Sequence, residues 1–162
     1  MRRFMFIAAF VLAAVFVQAA SAAPPGATHV YGSGSTVWGD GTQSFDLNVF
    51  RKPDGSLGGH MSWHGVTSTP YNQALDYSGH PDCLAVSGNI AVTSVVHYYP
   101  GQVFPYQGAI EIAVDNGSVD QAWGELLEAG DKASAQGVCR DTLDTLSGFG
   151  PLPTLNGEVT VT

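Results

Sequence analysis

The sequence predicts an all-β fold, an antiparallel β-barrel or β-sandwich of about seven or eight strands, with room for one short helix in 120–145. Three observations predict it. Apolar residues recur at every second position in several runs. Gly, Pro, Asn and Asp clusters of hairpin type separate those runs. The runs follow one another at short spacing, as all-β domains require.

The chain begins with a leader pattern. Arg2 and Arg3 form a positive head, residues 4–17 are an unbroken apolar run, and Ala20-Ser21-Ala22 places small residues at a cleavage position. This is the layout of a secretory signal peptide. The run is too short for an ordinary membrane span, which needs about 20 residues. Residues 1–22 are expected to be cleaved, with Ala23 as the alternative site. Residues 23–162 then form a single secreted β-domain with no stable membrane anchor.

The strands follow in order. In 44–49, SFDLNV, the apolar residues take the odd positions. Lys52-Pro53-Asp54-Gly55 is a turn, and 56–64 is the returning strand. Ser87-Gly88-Asn89 separates a strand at 82–86 from the continuously apolar run 89–99, NIAVTSVVHYY, which reads as a long central strand. Residues 109–115, AIEIAVD, put the large apolar side chains at even positions, which predicts one buried and one wet face. Asp115-Asn116-Gly117 follows, and Asn-Gly suits a type I′ turn. The same Asn116-Gly117-Ser118 spells a glycosylation sequon, but the turn accounts for it in a chain whose leader looks bacterial. A strand is expected over about 118–127, then a long loop carrying Cys139; a short helix is the alternative, interrupted by Gly124, Gly130 and Gly137. Residues 158–162, EVTVT, are a last alternating strand.

Without the leader, four basic residues face 14 acidic ones, a formal charge of about −10. Phosphate-backbone binding relies on Lys and Arg clusters, so nucleic acid is excluded as a partner class. The only cysteines are Cys83 and Cys139. In an exported chain they are most simply one disulfide, and two free thiols are the alternative. The closed loop is worth about 4 kcal/mol in chain entropy.

Taken together, SFDLNVFRKPDGSLGGHMSWHG, DCLAVSGNIAV, IEIAVDNGSVD, a lone Cys and LNGEVTVT resemble a group of small exported bacterial β-domain proteins, the post-COAP-like secreted β-domains. The resemblance covers about 44–162. It implies an extracellular β-domain and brings no catalytic residues with it. Residues 98–108, YYPGQVFPYQG, depart from the pattern as an aromatic insertion.

Candidate chemistry is sparse. No Gly-x-Ser-x-Gly elbow, phosphate loop or paired-cysteine zinc motif is present, and Gly32-Ser33-Gly34 lacks the rest of a dinucleotide loop. His60, His64 and His97 are the candidate metal ligands. His60 and His64 have the i, i+4 spacing of a helical zinc site, but their context is a strand, where four residues span about 13 Å. The simpler arrangement puts His60, Ser62 and His64 on a wet face with Met61 and Trp63 inside; the reverse would put the histidines in a barrel lumen. Asp76, His80 and Asp82 are a weaker acid–base candidate. Tyr98, Tyr99, Phe104 and Tyr106 are the candidate ligand-binding residues, because tyrosines join apolar area to a polar handle. The expectation is a secreted, non-catalytic binding or extracellular module with no cofactor and an extracellular ligand or protein as partner. The alternatives are a small-ligand barrel with 97–108 at its mouth and, behind it, a metal-dependent enzyme.

Overall fold

Alternation is realised most cleanly in β2 (Gly41–Arg51). Phe45, Leu47 and Val49 are buried, and Ser44 before them and Asp46 between them are exposed. The computed structural model describes residues 28–38, 41–66, 74–146 and 151–162; the expected leader lies outside them. The Lys52–Gly55 turn closes through Gly55 N–H to the Lys52 carbonyl at 2.9 Å, and Asp54 accepts from Ser56 N–H at 2.9 Å. The chain returns as β3 (Leu57–Val66), paired without a break from Arg51↔Leu57 to Thr42↔Val66. Gly59 sits in that ladder at φ +99°, where an added Cβ would fall 1.7 Å from the Asn48 carbonyl oxygen. No other residue fits there.

Two open antiparallel sheets form. The first has the order β4-β3-β2-β1-β9, with β1 at His29–Trp38, β4 at Ala74–Gly79 and β9 at Asn156–Val161. The second has the order β5-β6-β7-β8, with β5 at Cys83–Ser87, β6 at Ile90–Tyr98, β7 at Tyr106–Val114 and β8 at Gln121–Ala129. Of the two expected architectures the sandwich is therefore the one formed, and no barrel closes among the described residues. Among the described residues the strands number nine, because β1 and β4 join those read from the sequence. At the outer rim His29 and Thr162 exchange backbone hydrogen bonds of 3.0 and 2.9 Å.

The inter-sheet core sets large against small. The first sheet contributes Phe45, Met61 and Trp63, and the second contributes Ala91, Ala109, Ala113 and Ala122. Interdigitation of this kind reaches interior packing density without voids. The loop 115–120 pins the sheets together. Asp120 accepts from Val159 N–H at 2.9 Å and from Asn116 N–H at 2.9 Å, and Asp115 accepts from Val161 N–H. Six residues are used here rather than a two-residue Asn-Gly turn, and Gly117 takes φ +77°.

Two expectations are corrected. Residues 132–145 are the helix α1 (Lys132–Thr145), not a loop. Asp131 caps it by accepting from Ser134 N–H at 2.9 Å, and those bonds hold its carboxyl below the usual carboxylate range. Ala135 and Cys139 turn inward, with Val138, Leu143 and Leu146 alongside, so Gly137 is tolerated by an apolar stripe that has a sheet to cover. The second correction follows from the first. β7 has no wet face, because α1 covers Val92, Ile110, Ile112 and Leu127 on one side and the first sheet covers the other. The disulfide Cys83–Cys139, Cα–Cα 5.9 Å, ties α1 to β5.

Candidate ligand-binding site

His60 and His64 stand on the exposed side of β3, with Met61 and Trp63 fully buried between them. The lumen placement of the histidines is thereby overturned. The unbroken β2–β3 register leaves no bulge to shorten the span between them. His64 Nδ1 lies 2.8 Å from Asp76 on the neighbouring β4, at the surface. His97 belongs to the other sheet, and its ring stacks 6.1 Å from Tyr77. The three histidines are not brought together. Among the described residues no group of three or more His, Cys, Asp or Glu side chains is arranged to hold a metal. Asp76, His80 and Asp82 do not converge either. Asp82 accepts from Val96 N–H at 2.7 Å, and His80 bonds the Pro81 carbonyl.

The aromatic residues are placed by the β6–β7 hairpin. The ladder runs to Tyr98↔Tyr106, and Tyr99 N–H then closes the loop on the Pro105 carbonyl at 2.6 Å. Strand alternation splits the predicted residues between two faces. Tyr98 and Tyr106 meet on one, with ring centroids 5.0 Å apart and planes at 46°. Tyr99 lies on the other beside His97. Burial, with Tyr99 and Glu128 nearby, raises the Tyr77 phenol above its usual range. Phe104 and Val103 occupy the tip, 45% and 86% exposed.

Tyr98 and Tyr106 form one wall of a cleft of about 290 Å³ whose other wall is Lys132, Ala135 and Gln136 of α1, with Asp82 between. A second open cleft of about 450 Å³ adjoins it, and Asp82 and Gln136 line both. Arg140, Arg51 and the Cys83–Cys139 bridge border the far end. One helical face thus supplies Lys132, Gln136 and Arg140 at i, i+4 and i+8. The sequence matches no protein-family model, no curated protein and no solved structure.

Sequence reasoning reached the tyrosines and missed the helical wall. The four-residue spacing of Lys132, Gln136 and Arg140 was visible but has meaning only once 132–145 is a helix. It also missed Glu111. This side chain is 1% exposed between the sheets, and neither carboxyl oxygen has a partner among the described residues. Trp63 Nε1 is likewise unpartnered. A Cβ on Gly124 would lie 2.3 Å from Trp63 Nε1 and 2.5 Å from Glu111 Oε2, so the missing side chain makes room for both. Burial pushes the Glu111 carboxyl well above its ordinary range, so it is held as the neutral acid.

Proposed function

We propose that the protein is a secreted, non-catalytic binding module that holds an oligosaccharide against the Tyr98–Tyr106 face of its β6–β7 hairpin. One observation carries this reading: Tyr98 is left 60% exposed on a hairpin that is hydrogen-bonded up to that residue. Rigid rings lose little conformational freedom on binding and offer an apolar face with a polar edge. The adjoining clefts, about 290 and 450 Å³, suit a small ligand rather than a flat protein interface. Alongside apolar residues such as Val96, Leu57 and Leu84, the Tyr, Asp, Gln, Lys and Arg side chains of the lining suit the mixed apolar faces and hydroxyl groups of a sugar. The leader pattern and the disulfide support export.

The test is a panel of soluble neutral and acidic oligosaccharides, screened for a rise in thermal midpoint and followed by calorimetry. At least one member is expected to bind unchanged, without turnover, and Tyr98→Ala is expected to weaken it at least about tenfold with the fold intact. No binding anywhere in the panel, or binding indifferent to Tyr98→Ala, rejects the reading.

A further inference from the structure

Resting on that reading, we infer that the ligand is an acidic oligosaccharide, with a sugar ring on Tyr98 and Tyr106 and an anionic substituent held at the Arg51–Arg140 end of the groove.

Cations are scarce in this chain. Outside the leader the chain has four, Arg51, Lys52, Lys132 and Arg140, against 14 acidic residues. With acids in such excess, cations are expected to find carboxylates. Among the described residues none of the four lies within ion-pairing distance of one; the only such contact is His64–Asp76. Three of the four line the two adjoining clefts, Lys132 in the first and Arg51 and Arg140 in the second. An acidic protein thus gathers its unpaired positive charge into one groove.

The geometry suits a short chain of rings. Lys132 and Arg140 are eight residues apart on one face of α1, which is about 12 Å along the axis. Between them Asp82 and Gln136 face both clefts. Asp82 uses one oxygen on Val96 N–H, and Asp141 lines the far cleft as well. Carboxylates would oppose a uniformly anionic ligand, but they accept hydrogen bonds from sugar hydroxyls. A mixed lining therefore points to hydroxyls along the middle and an anionic group at the guanidinium end. Arginine is suited to that group, because its planar donors match a carboxylate or sulfate in pairs. Arg140 presents such a pair, while Arg51, whose two terminal nitrogens already donate to the Gly55 and Leu84 carbonyls, adds its charge and remaining N–H groups. The overall negative charge acts against any anion at long range, but screening limits that field to about 8–10 Å at physiological salt, so the local cations decide.

An extended acidic peptide fits less well. It would dock by adding to the free edge of β5, and there the Leu84 carbonyl is already held by the Arg51 guanidinium.

Calorimetry with the disulfide-bonded protein distinguishes the outcomes. The probes are oligogalacturonate, its fully methyl-esterified form, and a sulfated, carboxylate-free galactan oligomer. The acid, or the sulfated oligomer, is expected to bind at least about tenfold tighter than the ester, with affinity falling as salt rises. Arg140→Gln should bring the charged ligand down to the level of the ester. The Arg140 side chain is exposed and makes no hydrogen bond among the described residues, so its loss leaves the fold alone, and circular dichroism checks this. Tyr98→Ala should weaken charged and esterified ligands alike. Equal binding of acid, sulfate and ester, or indifference to Arg140→Gln, overturns the acidic ligand while leaving the binding module standing. Failure of all three probes to bind overturns the acidic ligand, and the binding module falls with it only where the wider panel of neutral and acidic oligosaccharides also finds no ligand.

Discussion

Glu111 occupies the least accommodating position in the molecule, with one sheet against each side and no partner for its carboxyl among the described residues. A charge there would cost several kcal/mol, so the side chain keeps its proton. The consequence for stability has a definite sign. The unfolded chain releases this proton near the ordinary value of 4.5, whereas the folded state retains it to much higher pH. Between those two values the native state binds the extra proton, so its stability falls as pH rises, by up to about 1.4 kcal/mol per unit. Below pH 4.5 this penalty is absent. Glu111→Gln should remove the slope and raise the urea midpoint more at pH 8 than at pH 4. Equal gains at both pH values would show that the acid is not held neutral. Glu111 was not legible because Ala109, Glu111 and Ala113 look like a solvent face. Ala109 and Ala113 are small where they share the inter-sheet core with Phe45 and Trp63 of the opposite sheet, and Glu111 between them fits over Gly124; no local pattern announces that.

Among the elements, α1 depends most on what it touches. Its fourteen residues include Gly137, which costs roughly 1 kcal/mol relative to alanine in a helix interior. The Asp131 cap, the inward Ala135 and Cys139, and the bridge to β5 offset this. Replacing both cysteines by serine should lower the unfolding free energy by about 4 kcal/mol. Hydrogen exchange should rise first in 132–145 and much less in β6 and β7. Uniform acceleration across the second sheet would mean that the bridge staples the whole domain rather than the helix. The cap and the apolar spacing were present in the sequence, but Gly130 and Gly137 obscured them. β1 was hidden differently: its inward positions include Gly32 and Gly34, where the backbone of β9 comes too close for a side chain. Strands with bulky alternation, such as β2, were legible because side chains rather than neighbours define them.

At the scale of the molecule, class was readable and arrangement was not. Period-two alternation requires a sheet with a face to bury, so the all-β reading follows from residues such as Phe45, Leu47 and Val49. Which strands become neighbours depends on partners far along the chain, as β1 and β9 illustrate, and pairing of that kind leaves no local trace. The same holds for the groove, whose walls come from β5, β6, β7 and α1, with Arg51 reaching in from β2.

The reciprocal hydrogen bonds between His29 and Thr162 place the first and last strands of the described fold side by side, so the beginning and end of the sandwich emerge together. Their order in the chain is then a matter of connectivity rather than of packing. A circular permutant, with a short Gly/Ser linker joining Thr162 to Thr28 and new ends between Gly117 and Ser118 in the exposed part of the 115–120 loop, should recover the disulfide and a cooperative thermal transition. A permutant that stays unfolded would show that chain order is needed to assemble the two sheets. Adjacent ends also let such a domain be spliced into a surface loop of another protein as a self-contained insert, with the hairpin and its groove carried along intact.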